Sequence, residues 1–212
     1  MADYSIALCA GEASGDLHGA NLVNAMKKIH SPIDFWGCGG KRMRSAGVDL
    51  CVDLTSGGTI GVVSTIKTLP VMFSAYMKFK SALIKKHPDL FIPIDFGAFN
   101  TRIARRAVEN GIDVVYYIPP SSWRKNPRNA DTLISCGGKA ITPFPWSAEK
   151  LKVQGVDARF YGHPLIDIVK PQSDKKDLLV EIGPDLSHGQ LAAERVGIAL
   201  KTPRERLAQR LE

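Results

Sequence analysis

The chain has 212 residues, of which 44% are hydrophobic and 23% are charged, and this is the composition of an ordinary globular protein. Intrinsically disordered, collagen-like and low-complexity classes are therefore excluded. Lysine and arginine number 28 against 21 aspartates and glutamates, which gives a formal net charge of +7. A basic balance favours an anionic partner such as a nucleic acid, an anionic membrane or a phosphorylated substrate.

The cysteines and the amino-terminal sequence predict where the protein works. Cys9, Cys38, Cys51 and Cys136 form no C-x-x-C pair and have no metal-ligand spacing, so we expect reduced thiols and no metal. The first residues lack the basic region and long apolar core of a signal peptide, and no apolar run approaches the ~18 residues of a spanning helix. We therefore expect a cytoplasmic protein that could touch a membrane from that side.

Short apolar runs alternate with amphipathic stretches over residues 1–170. The apolar runs predict strands at residues 4–10, 33–37, 48–52, 89–95, 112–118, 138–142 and 158–161. The stretches between them predict a short turn at 41–46 and helices at 17–29, 62–87 with a break near Pro70, 98–110 and 146–154. This order is typical of a Rossmann-like α/β domain, in which a parallel sheet carries helices on both faces.

The composition changes after residue 170. The segment QSDKKD is polar and resembles a linker, and the residues that follow it contain too few apolar side chains to build a core. We therefore predict a domain boundary between residues 1–170 and a linker with a helical tail at 171–212.

The loops that follow the first two predicted strands are candidate ligand sites, because ligands bind parallel α/β sheets outside the carboxyl ends of the strands. The first loop contains Gly11, Glu12, Ser14, Gly15 and Asp16. Glycines there would let a ligand approach the backbone and a helix amino terminus would attract an anion; the alternative is a tight turn in which Ser14 and Asp16 cap the next helix. The second loop contains Gly39 and Arg42, which suit a phosphate. The alternative is a flexible loop with solvated charges.

Asp95 stands at the end of the buried run LFIPI. A carboxylate at the end of a buried strand is partly desolvated, which raises its pKa and suits a general base. The alternative is a structural partner for Arg102 or Asn100.

Two later loops also carry candidate binding residues. Ser122, Trp123 and Arg124 follow the fifth predicted strand, where the indole could stack on a sugar and the guanidinium could pair with a phosphate. His163 follows the last strand. Both loops have structural alternatives, namely a surface turn around a packed tryptophan and a histidine with no chemical role.

No acidic residue occurs between Asp53 and Asp89, and five lysines lie in this interval. Met72, Tyr76, Phe79 and Leu83 share one helical face. Such a helix could lie on an anionic membrane or face the core of the domain. No nucleic-acid-binding motif is present in the sequence, so we predict no nucleic-acid partner.

Five segments together resemble one known family. They are AGEASGDLHGANL (10–22), GCGGKRMRSAGV (37–48), HPDLFIPIDFGAFNTRIARR (87–106), YYIPPSSW (116–123) and TPFPWSAEKLKVQGVDARFYGHPL (142–165). Through them the chain resembles the amino-terminal half of the lipid-A-disaccharide synthases, which are glycosyltransferases of the GT-B class. The combination of G-E-x-S-G-D, I-D-x-x-x-F-N and F-x-G-H-P is specific.

The resemblance implies a function. Family members transfer a diacylated glucosamine from UDP to diacylglucosamine 1-phosphate in lipid A synthesis, on the cytoplasmic face of the inner membrane and without a metal cofactor. Asp95 matches the family's candidate general base, Asn100 matches the asparagine of the same motif, and the loop from Gly11 to Asp16 matches the loop at the cleft.

The resemblance also implies a second domain. The carboxyl-terminal half of a GT-B enzyme carries most of the UDP site, and we expect this half to be missing here or separately encoded. One half alone should transfer sugar poorly, because the site lies between the halves. The alternative is a non-catalytic α/β module that binds an anionic lipid or a sugar phosphate.

Overall fold

The predicted strands form one parallel sheet in the computed structural model, which describes residues 4–29, 32–54, 65–120 and 128–168. The strands are β1 (Tyr4–Ala10), β2 (Ile33–Gly39), β3 (Asp49–Asp53), β4 (Leu90–Ile94), β5 (Asp113–Val114), β6 (Tyr116–Tyr117), β7 (Lys139–Ile141) and β8 (Asp157–Arg159). Their order is β3-β2-β1-β4-β6-β7-β8, and β5 also pairs with β4. The expected Rossmann-like α/β sheet is confirmed.

Helices occupy the connections between these strands. They are α1 (Ala13–Ile29), α2 (Lys41–Ser45), α3 (Thr65–Lys86), α4 (Gly97–Glu109), α5 (Arg128–Ile134), α6 (Pro145–Val153) and α7 (Leu165–Ile168). The chain divides into two compact units, Met1–His163 and Pro164–Glu212. The sheet belongs to the first unit, and α7 is the described part of the second.

The main differences from the sequence expectation concern α1, α3 and the fifth predicted strand. Helix α1 begins at Ala13 instead of residue 17. Gly15 therefore lies inside the helix, where a Cβ added to it would be 3.2 Å from the Ala10 side chain. Helix α3 includes Pro70 without a break, and the proline deprives it of one backbone N–H donor. The fifth predicted strand is divided into β5 and β6 at Val115. The short helix α5 was not predicted.

The two faces of the sheet are covered by different helices, and β1 shows how. Ala7 and Cys9 pack with Phe79 of α3 and Ile103 of α4 in one buried cluster. The alternate β1 residues Ile6, Leu8 and Ala10 pack on the other face, in a cluster that includes Val23 of α1 and Met43 of α2. Strand residues that alternate between two buried faces are expected of a sheet covered on both sides.

Helix α3 has a buried face and an exposed apolar face. Phe79 and Leu83 are fully buried, which confirms the core-facing interpretation of this stripe. Phe73 and Val71 are 66% and 67% exposed, and Met77 is also exposed. No helix within the described ranges is long and apolar enough to cross a bilayer.

The strand order sets the position of the crevice. Strand β1 pairs with β2 on one side and with β4 on the other. The chain therefore proceeds outward from β1 to β2 and β3 and then returns to the opposite side of β1 at β4. Ligands of open parallel sheets bind where the strand order reverses, outside the carboxyl ends of the strands. The residues that follow β1 and β4 are therefore the first candidates for a site.

Candidate functional site

The turn after β4 has an unusual backbone. Asp95 and Phe96 both lie in the left-handed region, with φ of 44° and 54°. Aspartate tolerates this region better than most residues, whereas for a bulky phenylalanine it is an outlier. Each such residue costs about 1–3 kcal/mol, and neighbouring contacts must hold it in place.

Asn100 and Tyr116 make those contacts. The Asn100 Nδ2 donates to the carbonyl oxygens of Cys9, Ile94 and Asp95, at 3.0, 3.1 and 3.0 Å. The Tyr116 hydroxyl donates to the same Asp95 carbonyl at 2.7 Å. Asn100 therefore ties the end of β1 to the end of β4. It bonds to the backbone of Asp95, and not to its carboxylate.

The Asp95 side chain lies half-buried at this turn. Burial raises the pKa of its carboxyl, the negative charge of Glu12 raises that pKa further, and the backbone N–H of Phe96 lowers it to a smaller extent. The raised pKa is the one expected for a general base at the end of a buried strand. Asp95 and Glu12 therefore bring two carboxyl groups to the carboxyl edge of β1 and β4.

The loop after β1 packs directly against this turn. A Cβ added to Gly11 would come within 2.4 Å of the Phe96 ring, so the close approach of loop and turn requires glycine. Glu12 and Ser14 are exposed at the start of α1. These two side chains can reach a ligand in the crevice.

Asp16, in contrast, serves the backbone. It is 3% exposed, and its carboxylate accepts the N–H groups of Gly40, Arg42 and Met43 at 2.8, 3.0 and 3.0 Å. The carboxylate thereby satisfies the amino-terminal amides of α2. The alternative that Asp16 caps its own helix is wrong, because it caps a different one.

The loop after β2 keeps one candidate side chain in reach of solvent. A Cβ on Gly39 would come 2.5 Å from the Met43 Sδ, so this glycine is needed for packing beneath α2. The Arg42 side chain is exposed, while its backbone N–H binds Asp16. Of the two, Arg42 has the side chain that a phosphate could contact.

His163 lies in an aromatic cluster at the same edge. Its ring is 5.1 Å from the Phe144 ring, which stacks on Trp146 at 5.2 Å with an angle of 15° between the planes. Burial lowers the pKa of His18 on α1, and the nearby His163 lowers it further. The structure therefore places His18 and His163 close enough to interact.

The remaining candidate residues from the sequence are either outside the described residues or buried. Ser122, Trp123 and Arg124 lie outside the described residues. Asn100 is fully buried, so it has no exposed atom to offer a substrate. In the described part of the chain, no cluster of three histidine, cysteine or carboxylate side chains could hold a metal ion.

Sequence reasoning missed three residues that shape this edge. Phe96 and Tyr116 hold the Asp95 turn, and His18 interacts with His163. Phe96 had a usable signal, since it directly follows the candidate base. Tyr116 looks like any strand residue in the sequence, and its role depends on which strand becomes the neighbour of β4.

The fold and the edge residues define a Rossmann-like α/β domain with a carboxylate at the topological switch point. The family model for lipid-A-disaccharide synthetase matches residues 6–185. The chain therefore belongs to the lipid-A-disaccharide synthetase family.

Curated relatives agree with this assignment. The lipid-A-disaccharide synthase of Geobacter sulfurreducens is 36% identical over 182 residues, which are 86% of this chain and 47% of the relative. That of Syntrophus aciditrophicus is 36% identical over 178 residues, or 84% of this chain and 46% of the relative. The chain thus spans about half the length of the curated relatives it matches.

A solved structure supports the fold alone. A Listeria monocytogenes protein assigned as a UDP-N-acetylglucosamine 2-epimerase superposes with a TM-score of 0.56 at 12% identity. The match covers 84% of this chain and 52% of that one.

Proposed function

We propose that this chain is the acceptor-side domain of a lipid-A-disaccharide-synthase-type glycosyltransferase. The reaction would transfer a diacylated glucosamine from a UDP carrier to a glucosamine 1-phosphate acceptor. The observation that carries the proposal is the position of Asp95 at the switch point of a family member, half-buried and with a raised pKa.

Asp95 would act as the general base. Its carboxylate would accept the proton of the acceptor hydroxyl while that oxygen forms a bond to the anomeric carbon of the donor sugar. The bond from the anomeric carbon to the diphosphate oxygen would break, and UDP would leave with the electron pair. A raised pKa matches the base to this task, because proton transfer is most efficient when the base's pKa lies near the working pH.

The exposed and part-buried side chains of the edge would bind the acceptor. Arg42 and His163 suit its phosphate, since both can carry positive charge and donate hydrogen bonds. Glu12 and Ser14 would contact its hydroxyl groups. Four further residues would support the loops without touching the substrate, namely Gly15, Asp16, Gly39 and Asn100. The binding roles of Ser122, Trp123 and Arg124 stay predictions.

The donor would depend on more than this domain. The resemblance to a GT-B half implies that most UDP contacts come from a carboxyl-terminal half of the kind the longer relatives contain. The expectation that the transfer needs no metal cofactor, with the UDP-sugar as donor substrate, also stays a prediction.

The outer face of α3 would rest on the cytoplasmic side of an anionic membrane. Phe73 and Met77 expose apolar surface, and Lys78 and Lys85 are exposed on the same helix. Apolar side chains beside lysines favour an interface of acyl chains and anionic headgroups.

We expect Phe73→Ser to weaken binding to anionic vesicles, while Val153→Ser, at an 88% exposed position on α6, leaves it unchanged. Sedimentation with vesicles checks this, and equal binding by both variants would contradict it.

A transfer assay tests the enzymatic proposal. The chain would be assayed with a UDP-linked diacylglucosamine donor and a diacylglucosamine 1-phosphate acceptor, alone and mixed with the carboxyl-terminal half of the Geobacter sulfurreducens relative. We expect disaccharide phosphate in the mixture, and its loss in Asp95→Asn. Acceptor binding without transfer in any mixture would instead favour the second candidate, a non-catalytic module for an anionic lipid or sugar phosphate, which the exposed face of α3 supports.

A further inference from the structure

The turn that presents Asp95 is held by two buried side chains, Asn100 and Tyr116. Both bond to one atom, the Asp95 carbonyl oxygen, from different elements: Asn100 is on α4 and Tyr116 is on β6. A carbonyl oxygen has two lone pairs, so these two donors complete its hydrogen-bonding capacity. The peptide after Asp95 is therefore held by two separate elements.

The contacts hold a conformation that the local sequence does not favour. Asp95 and Phe96 occupy the left-handed region in succession, and neither is glycine. Such backbones persist where the surroundings impose them, and they occur often at active sites. The Asn100 and Tyr116 bonds are those surroundings, because both donors are fully buried and cannot be replaced by solvent.

Among the described residues, the side-chain hydrogen bonds of Asn100 involve its NH₂ group and not its oxygen. Its amide nitrogen meets three carbonyl oxygens, while its buried Oδ1 has no hydrogen-bond partner among the described residues. A buried acceptor without a partner is unfavourable, so the bonds that the two N–H groups of Asn100 share among these three carbonyls must outweigh it. An aspartate of the same shape would place oxygen against those carbonyls and could not substitute.

We propose that Asn100 and Tyr116 are positioning residues, which lock the left-handed Asp95–Phe96 turn and thereby direct the Asp95 carboxyl group into the crevice beside β1. The inference rests on the proposed function for its chemical meaning. Its geometric content, that the two donors set the environment of the Asp95 carboxyl, is independent of sugar transfer.

The direct test measures the Asp95 carboxyl by carbon NMR in the full 212-residue chain. Tyr116→Phe removes one hydroxyl and keeps the buried ring. We expect the pKa of Asp95 to fall by about half a unit, a threefold change in its acid dissociation constant, because a looser turn admits water to the carboxyl. Tyr76→Phe is the matched control, since it removes a hydroxyl from a part-buried tyrosine on α3; it should leave the pKa of Asp95 unchanged.

Further variants separate positioning from general stability. The carboxyl signal of Asp95 should move further in the Asn100→Asp variant than in Tyr116→Phe. If the Asn100→Asp variant does not fold, the Tyr116→Phe measurement alone tests the positioning role. In the transfer-competent mixture, Tyr116→Phe should lower kcat by about tenfold and leave KM within about twofold, because a misplaced base slows the chemistry more than the binding.

Two results would overturn the inference. One is a folded Tyr116→Phe protein whose Asp95 pKa and backbone shifts equal those of the wild type. The other is an equal pKa change in Tyr116→Phe and Tyr76→Phe, which would indicate a general loosening. If the wild type shows no transfer in any mixture, the proposed function fails while the NMR comparison still decides the positioning roles.

Discussion

Two aspartates near the carboxyl edge of the same sheet have opposite surroundings. Asp16 is almost fully buried, and its carboxylate accepts three backbone N–H groups of the loop and helix that follow β2. Asp95 is half-buried at a left-handed turn, and the nearby Glu12 carries a charge of the same sign. Burial and the like charge raise the pKa of Asp95, whereas the Asp16 carboxylate is occupied by backbone donors.

The difference separates a structural carboxylate from a chemical one. Three donors use the acceptor capacity of Asp16 for the fold, so little remains for a ligand. The Asp95 carboxyl keeps most of its acceptor capacity, with the Phe96 N–H as a backbone donor, while its backbone carbonyl receives the supporting bonds from Asn100 and Tyr116. A motif that contains an aspartate after a strand does not by itself distinguish these roles.

The largest expected effect is on the chemistry at Asp95. Asp95→Asn should lower the transfer rate by about 10²- to 10⁴-fold, which is the usual contribution of a general base. The same variant should be at least as stable as the wild type at neutral pH. Because the folded protein raises the pKa of Asp95, the wild type gains stability from this group below the unfolded pKa and loses it as the pH rises through the folded pKa.

Transfer assays and thermal unfolding at neutral and acidic pH check this pair of outcomes. The stability advantage of Asp95→Asn should disappear below about pH 4, where the aspartate is protonated in both states. Asp34→Asn, at an exposed position on β2, is the control and should change neither property. Full transfer activity in Asp95→Asn would remove the proposed base.

Asp16→Asn should show the reverse pattern, with a loss of stability. An amide keeps the shape of the side chain but sets an NH₂ group against backbone donors and removes the charge. Hydrogen bonds to charged groups contribute about 1.5–3 kcal/mol each, so we expect the free energy of unfolding to fall by about 2–3 kcal/mol. Urea denaturation measures the loss, and an unchanged midpoint would show that the three bonds contribute little.

Gly11→Ala tests the contact between the loop after β1 and the Asp95 turn. The new Cβ would collide with the Phe96 ring, and overpacking of this kind typically costs about 1–3 kcal/mol. Gly97→Ala is the matched control, because a Cβ there meets nothing within 4 Å. Equal unfolding free energies for the two variants would mean that loop and turn separate easily.

The smallest expected effect concerns the charge beside Asp95. Glu12→Gln should lower the pKa of Asp95 by less than about one unit, since burial is the larger cause of the raised value. The acidic limb of the pH–rate profile should move to lower pH by the same amount. Glu149→Gln on α6, also exposed, serves as the control, and an equal shift in both variants would argue against a local interaction.

Much of the fold could be predicted because the strands are buried on both faces. Continuous apolar runs such as LFIPI in β4 leave few alternatives, and the observed ends lie within two residues of the predicted ones for the first four strands. The division of the fifth strand at Val115 has no such signal. Helix α5 was missed because it spans only seven residues, too few to show a clear helical period.

The sequence predicted where the candidate base lies, but not which residues contact the side chains of the site. Asp95 follows a buried strand, and this local feature alone marked it as a candidate base. Asp16 contacts amides 24–27 residues further along the chain, and Tyr116 contacts a residue 21 positions earlier. Such contacts depend on which strands become neighbours, and a local sequence pattern does not contain that information.

The most direct test of the account observes both aspartates while an acceptor binds. Carbon NMR of the carboxyl groups would be recorded as diacylglucosamine 1-phosphate is added to the chain. We predict that the Asp95 signal and its pKa change, that the Phe96 amide signal moves with it, and that the Asp16 signal stays where it is. Movement of the Asp16 signal alone, or binding that leaves Asp95 unaffected, would contradict the assignment of Asp95 to chemistry and Asp16 to structure.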